Sequence, residues 1–564
     1  MPRPDSAHDP APDLADDLHR LHGAPYARYR SLSATYPLTP GTTVRLLRAQ
    51  ADPFAPPSRL EVRVDAAASG LAAVGLGTEP RRRATASFLA RAAARHGRTF
   101  RVDAGGQEVL QRTSCEVAAD GAVVLRCGYH LPGPRRRIDG RTAARELTAE
   151  LPDLVAASLL LAAHDAAEVT AFADAVEDAG ALRAALEPRG LVAFVADGAV
   201  LPRRSGVDDR PALDAVPFTS PDTVRVAVDL PHRGRTTGAG VAAGVTVVVG
   251  GGFHGKSTLL RALEAGVHDH VPGDGRELVV TRADAAAVRA EDGRAVTRVD
   301  VGAFVTGLPG GLDPRDFSTP DASGSTSQAA AVVEALEAGS RLLLVDEDTA
   351  ATNLMVRDAR MQALVAKSAE PLNPFVDLVR SLHADHGVST VIVVGASGDF
   401  LDVADRVLAM REFVCADVTD RAREVARTPT GRVAEAGSFP VVRHRVPDPR
   451  SVDATARGRR RVGARGTDTL LLGEHEVDVR AVRQFTDAAQ VTGAGHALAR
   501  MVSAGHLDGR RTLARALDLL EADLAADPPF GWLEGATADV AVPRRHEVAA
   551  ALDRLRALRV RAVG

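Results

Sequence analysis

Residues 244–257 read GVTVVVGGGFHGKS, and no other stretch of the chain leaves the fold so few options. The continuous apolar run is what a strand buried on both faces needs. Gly250 to Ser257 fits G-x-x-x-x-G-K-[ST], and the following TLLRALEAG opens a helix. In that strand–loop–helix order, backbone N–H groups can close around phosphate oxygens while the helix N-terminus adds partial positive charge. Gly250, Gly251, Gly252, Phe253, His254 and Gly255 would form the loop, continuing into Thr258. Lys256 would reach the β- and γ-phosphates of ATP and Ser257 would ligate Mg²⁺. His254 is read as contributing its backbone, with contact to a phosphate as the alternative. Lysine usage supports the assignment. Of 69 Lys+Arg residues only Lys256 and Lys367 are lysine, so Lys256 stands where a compact ammonium is required and a guanidinium fork would not fit.

The length of 564 residues exceeds one core, so two to four domains are expected. Asp+Glu at 73 gives a net charge of -4, which excludes an overall basic nucleic-acid coat. Cys115, Cys127 and Cys415 lack CxxC spacing, so neither a disulfide framework nor a zinc site is expected. The start, MPRPDSAHDPAPDLADD, is acidic and Pro-rich, unlike a signal peptide. LVAASLLLAA (154–163) is half of the roughly 20 residues that span a bilayer, so it reads as a buried helix and the chain as cytoplasmic.

Residues 1–15 read as a disordered tail. Residues 16–220 read as an α+β domain, with RLEVRVD (59–65) at strand period and an Ala/Leu-rich helix over 143–175. Over 221–435, VRVAVDL (224–230), GVTVVVGGG (244–252), LVV (278–280), RLLLVDED (341–348) and STVIVVGASG (389–398) alternate with helical stretches. That alternation predicts an α/β core with a largely parallel sheet. Residues 436–564 read as a Pro/Arg-rich linker (439–466) and a mostly helical domain that includes 512–525 and 546–560.

LLLVDED is an apolar strand ending in acids, as a Walker B strand does. There Asp346 would hold Mg²⁺ through water, and Glu347 would polarise the attacking water as general base. ASGSTSQAA (322–330) opens a helix shortly before it. Ser323, Gly324 and Ser325 at that helix start match the arrangement of an ABC signature, which would bind the γ-phosphate of ATP held by another subunit. The alternative is a plain Ser/Thr N-cap.

Longer strings carry a resemblance. GGGFHGKSTLL (250–260), GVHDHVPGDGRE (266–277), RAEDGR (289–294), ASGSTSQAA, DEDTAATNLMVRD (346–358), EPLNPF (370–375) and VVGASGDF (393–400) are similar to the ATPases of the ABC class. So are YARYRSL (26–32), DPFAPPSR (52–59) and the LPR–SG stretch at 201–206. The resemblance implies an ABC-type core with dedicated flanking regions and no membrane domain. Departures from ordinary ABC cassettes stand out. Ser325 and Thr326 replace Gly and Gln of LSGGQ, and Asn353 stands for the D-loop Asp. GASGD replaces the switch histidine, leaving Ser397 or Asp399 as γ-phosphate sensors. No Q-loop Gln follows Val280, so Glu291 or Asp292 is the expected substitute, against plain turns at the D-G pairs. Lys367 contacts either a partner subunit or nucleotide, or else ends a helix in solvent.

Arg450, Arg457, Arg459, Arg460, Arg461 and Arg465 fall within sixteen residues. The segment could follow a phosphate backbone, RNA ahead of duplex DNA, or be a solvated stretch in an Arg-biased chain. The chain is thus expected to be a homodimeric, Mg²⁺-dependent ATP hydrolase that clamps a macromolecule. A non-hydrolysing, nucleotide-dependent protein-binding switch and a P-loop phosphotransferase are the alternatives.

Overall fold

The computed structural model describes residues 12–308, 311–526 and 529–561. Residues 1–11 of the expected tail lie outside the described residues. Order begins before residue 16: Asp13 accepts the Asp16 amide at 3.0 Å and caps a helix over Leu14–Leu21. The chain divides into two compact units, one of residues 12–105, Val109–Glu177 and Glu534–Ala541, the other of Gly106–Glu108, 178–533 and 542–561.

The first unit holds an antiparallel sheet of β1 (Thr35–Thr39), β2 (Thr42–Arg48), β3 (Ser58–Val64), β4 (Phe100–Arg101), β5 (Cys115–Val117) and β6 (Val123–Tyr129). The order is β1-β2-β3-β6-β4, with β5 also on β6. Period-two alternation sends Leu60, Val62 and Val64 into a core shared with Leu89, Ala90 and Ala93 of helix Glu79–His96. Cys115 and Cys127 are free and buried there, their thiols pushed up to about 12 by burial. The helix expected over 143–175 is broken. Helix Leu151–Ser158 ends, and Asp165 accepts the Ala167 amide at 2.9 Å to start Ala166–Leu186 afresh. The unit boundary falls within that helix, at 177/178 and not near 220.

The second unit keeps residues 178–220 because β7 (Leu191–Ala196) is hydrogen-bonded into its sheets. Its strands continue with β8 (Arg225–Leu230), β9 (Gly234–Ala242), β10 (Val245–Val249), β11 (Val279–Thr281), β12 (Ala285–Val288), β13 (Arg294–Val299) and β14 (Phe317–Ala322). Then come β15 (Leu342–Asp346), β16 (Ser389–Val393), β17 (Arg406–Arg411) and β18 (Val414–Asp417). The central sheet runs β12-β15-β16-β10-β17-β18 and is parallel up to the last pair, an antiparallel hairpin. The LVV run lies elsewhere, since β11 is the antiparallel edge of a second sheet, β11-β7-β9-β8.

The region after 435 is less helical than expected and packs as part of this unit. The stretch read as a linker contains β19 (Val446–Pro447), β20 (Thr455–Ala456), β21 (Arg459–Arg460) and β22 (Val462–Arg465). β22 pairs with β23 (Thr469–Leu472), which pairs with β24 (His475–Asp478), while β25 (Val560–Arg561) returns to β19. Buried Gln484 mimics a neighbouring strand on β12, accepting from Ala287 N at 3.2 Å and donating to Ala285 O at 3.1 Å. Arg544 adds a bond to the same Ala285 carbonyl, so the open edge of the central sheet is covered. Among the described residues no helix is long and apolar enough to cross a membrane.

Candidate nucleotide-binding site

The loop 250–255 joins β10 to helix Lys256–Ala265. Two glycines are dictated by geometry. Gly250 has φ 147°, and a Cβ there would meet Met410 O at 2.3 Å. Gly255 has φ 99°, and its Cβ would meet Phe413 Cδ1 at 2.8 Å. Lys256 is buried at the helix start, with Nζ donating to the carbonyls of Gly250 (2.7 Å) and Gly251 (2.9 Å). Its ammonium is therefore held over the loop, with Ser257 and Thr258 partly exposed in the first helical turn. Phe253, with φ 62°, is fully exposed. His254 does more than lend its backbone: Nδ1 accepts the Glu412 amide at 2.7 Å, and its carbonyl accepts the Phe413 amide at 3.1 Å. That fastens the β17–β18 turn to the loop.

One strand, β16, separates β10 from β15, so the loop after β16 lies between the phosphate loop and the acids ending β15. Asp346 caps the following turn, accepting the Asp348 amide at 3.3 Å. Glu347 reaches across to the β16 exit. It accepts the amides of Gly395 (2.5 Å) and Ala396 (3.0 Å) and the hydroxyl of Ser397. Burial alone would raise its pKa, but these hydrogen bonds to the carboxylate outweigh it and hold the pKa low. Ser397, expected as a phosphate sensor, thus holds the expected base in this conformation. Asp399 lies one turn on, within Gly398–Asp402, with Oδ1 buried and unpartnered.

Ser323 is the N-cap of helix Gly324–Glu337, its Oγ accepting the Thr326 amide at 3.4 Å and lying 3.3 Å from Ser325 Oγ. The cap and the expected signature are the same residue, exposed at a helix start where N–H groups are unspent. Asn353 is exposed in helix Thr352–Met355. Glu291, proposed above as a Q-loop substitute, is committed elsewhere: its carboxylate is forked by Arg554, Nε at 3.0 Å. Asp292 lies beside Gly324, where an added Cβ would be 3.2 Å from its Oδ1. Lys367 turns back on its own loop, Nζ donating to Leu372 O at 2.7 Å, rather than ending a helix in solvent.

Arg450 lies in the turn Pro449–Ser451, and the rest of the Arg cluster sits on or beside short hairpins. Arg450 pairs with Asp448 at 2.9 Å and Arg465 with Glu476 at 2.8 Å, while Arg461 donates to Gly473 O at 3.2 Å. Arg457, Arg459 and Arg460 are exposed around the β20–β21 turn. Sequence reasoning missed the buried ion network behind helix Gly324–Glu337. Arg445 bonds Glu337 (2.6 Å) and Asp553 (2.6 Å), and Arg294 bonds Glu334 (2.5 Å). Glu334 and Glu337 in an otherwise Ala/Val-rich helix were its sequence signal. Arg203 likewise forks fully buried Asp274 with two bonds of 2.8 Å, joining two of the strings that carried the family resemblance.

Comparison with known proteins agrees with this architecture. Residues 11–162 match the N-terminal domain of the ATPases of the ABC class, and residues 165–445 match the ABC ATPase P-loop domain. Residues 461–561 match the MRB1590 C-terminal domain. An uncharacterised protein, MJ1628, of Methanocaldococcus jannaschii is 28% identical over 243 residues, 41% of this chain. The chain spans about half (52%) of that relative's length. Solved structures include the ADP conformation of MJ1267, an ATP-binding cassette of an ABC transporter. It shows 14% identity over 34% of this chain and 88% of that one, with a TM-score of 0.23. CbiO1 of Clostridium perfringens, part of an ABC transporter complex, shows 17% identity over 36% and 91%, also at 0.23. The two ABC-class matches run almost without interruption through the phosphate loop, the β15 acids and helix Gly324–Glu337, and the chain belongs to the ATPases of the ABC class.

Proposed function

We propose that the chain hydrolyses ATP at the interface of a head-to-tail homodimer, and that closing and reopening this dimer works as a clamp on a macromolecule, RNA first. The observation that carries the chemistry is the placement of Glu347 at the end of β15, one strand from β10 and against the β16 exit. Lys256 would bind the β- and γ-phosphates, and Glu347, once released from Gly395, Ala396 and Ser397, would take the proton of the attacking water. Ser323, Gly324 and Ser325 would complete the γ-phosphate site of the second subunit, since their exposed helix start is built for an anion. Asn353, Ser397 and Asp399 would line the approach to that phosphate.

The donor set suits Mg²⁺. Ser257 and Asp346 offer the hard oxygen ligands this ion takes alongside substrate phosphates, and would hold it there. Bound, it would neutralise charge developing on the transferred phosphate. For the partner, Arg457, Arg459 and Arg460 present exposed charge that could follow a phosphate backbone in the cytoplasm.

Glu347→Gln should bind ATP, lose turnover and accumulate as a dimer, as read by ADP release and light scattering; unchanged turnover would sink the assignment of the base. Pull-down of the same variant with ATP, with and without nuclease, identifies RNA, DNA or protein as the cargo. One observation favours a second reading: the carboxylate's bonds to Gly395, Ala396 and Ser397 hold it away from duty, as a non-hydrolysing switch would require. Turnover above background removes that reading.

A further inference from the structure

The phosphate loop is flanked on one side by the reacting groups and on the other by an exposed aromatic turn that no step above uses. Arg411 pairs with Val414 to close a two-residue hairpin over Glu412 and Phe413, with φ of 50° and 66°. Such turns favour Gly and Asn, and two side-chain-bearing residues hold this conformation at a cost. The turn is pinned: the Glu412 amide donates to His254 Nδ1 at 2.7 Å and the Phe413 amide to His254 O at 3.1 Å. The Phe413 ring lies so close to Gly255 that a Cβ there would be 2.8 Å from Cδ1, yet the ring remains exposed, as does Val414. A hydrophobic ring held against the loop and left open to solvent has a surface to offer.

Sheet order says to what. β15 and β16, with Glu347 and Ser397, lie on one side of β10, and β17 with its turn lies on the other. A triphosphate in the loop must point its γ end toward Glu347, so its nucleoside end leaves toward β17. Resting on the ATP reading above, we infer that Phe413 is the platform on which the purine base of the nucleotide stacks, and that His254 is the positioning residue that holds the platform against the phosphate loop. The binding energy of the nucleotide is then divided between two anchors, a polar one for phosphates and an aromatic one for the base.

The test compares ATP with inorganic tripolyphosphate on the full chain with Mg²⁺, by calorimetric titration. Phe413→Ala should weaken ATP about tenfold, the scale of one base–aromatic stack, and leave tripolyphosphate within about twofold, since it has no base to stack. Phe413→Trp should restore ATP. Equal losses for both ligands would make Phe413 a mere prop of the loop and overturn the proposal, as would no loss for ATP. Failure of the unaltered chain to bind ATP at all would remove the ATP reading itself, and the platform with it.

Discussion

Replacing Arg445 by methionine keeps the length and apolar stem of the side chain and deletes one buried cation. That cation bonds Glu337 and Asp553, each at 2.6 Å, with side chains that are 1% exposed, and lies 3.9 Å from Glu334. The cluster already holds more acid than base. Glu334, Glu337 and Asp553 face Arg445 and Arg294, and burial raises the pKa of Glu334 and of Asp553 despite the arginines. With Arg445 gone, one further carboxyl must take up a proton for the unit to stay folded. Drawing a proton onto a group with an unfolded pKa near 4 costs about 1.4 kcal/mol per pH unit, hence about 4–5 kcal/mol at about pH 7.5 and about 2 kcal/mol at about pH 5.5. The first figure agrees with the 3–5 kcal/mol loss usual on removing one partner of a buried ion pair.

The sign follows from the raised folded pKa. The folded variant binds more protons than its unfolded chain, so its stability must rise as the pH falls, the reverse of ordinary acid denaturation. Native-state hydrogen exchange of helices Gly324–Glu337 and Arg545–Asp553 reads this directly, without assuming one transition for a chain of two units. Arg445→Met with Asp553→Asn should recover most of the loss and flatten the pH dependence. A loss below about 1 kcal/mol, or an equal loss at both pH values, would refute the electrostatic account and leave only lost packing.

Ser397→Ala removes a hydroxyl donor to Glu347 in the nucleotide-free chain, so the depressed carboxyl pKa should rise and the acidic limb of kcat/KM move to higher pH; an unmoved limb in that profile would separate Ser397 from the base. Gly255→Ala places a Cβ at φ 99° and 2.8 Å from Phe413 Cδ1, so ATP and tripolyphosphate binding should fall together and stability drop by about 1–3 kcal/mol, checked by titration and thermal unfolding. Changing Arg457, Arg459 and Arg460 together to serine should make the salt dependence of RNA binding shallower by about 2 in log–log slope, at about 0.7 per contact on single strands; an unchanged slope places any RNA elsewhere.

Much of the core was legible because its signals are local. GVTVVVGGGFHGKS specifies strand, loop and helix within one run of chain, and RLLLVDED and STVIVVGASG carry the apolar continuity of buried parallel strands. The LVV run has the same composition yet pairs antiparallel with β7, because a three-residue run does not specify its neighbour. The stretch 439–466 read as a linker because its strands are two to four residues long and its charges obscure alternation. The partners of Glu291 and Glu347 were not legible either. Arg554 lies 263 residues from Glu291 and Ser397 lies 50 from Glu347, and only the fold brings them together. Lys367 shows the limit of arguing from composition: scarcity marked Lys256 and Lys367 equally, but the bond the second makes, onto Leu372, closes a turn.

The same distant pairs bear on how the second unit can move. Glu334 and Glu337 lie on the helix that Ser323 caps, and their cations are Arg294, before β14, and Arg445, which also bonds Asp553 of helix Arg545–Asp553. The next residue, Arg554, forks Glu291 in the turn that packs Asp292 beside Gly324. Withdrawing helix Gly324–Glu337 from the C-terminal helix would therefore strand several buried charges at once, each at a cost of several kcal/mol. A typical ligand-driven shift is worth 1–3 kcal/mol, too little to break such contacts. On the proposed reading, whatever ATP does at Ser323 would move the C-terminal helix with it, and the β20–β24 hairpins carrying Arg457, Arg459 and Arg460 belong to the same compact unit. A double-cysteine crosslink between the two helices should then leave ATP turnover intact, and its loss on crosslinking would mean that the two helices part during the cycle.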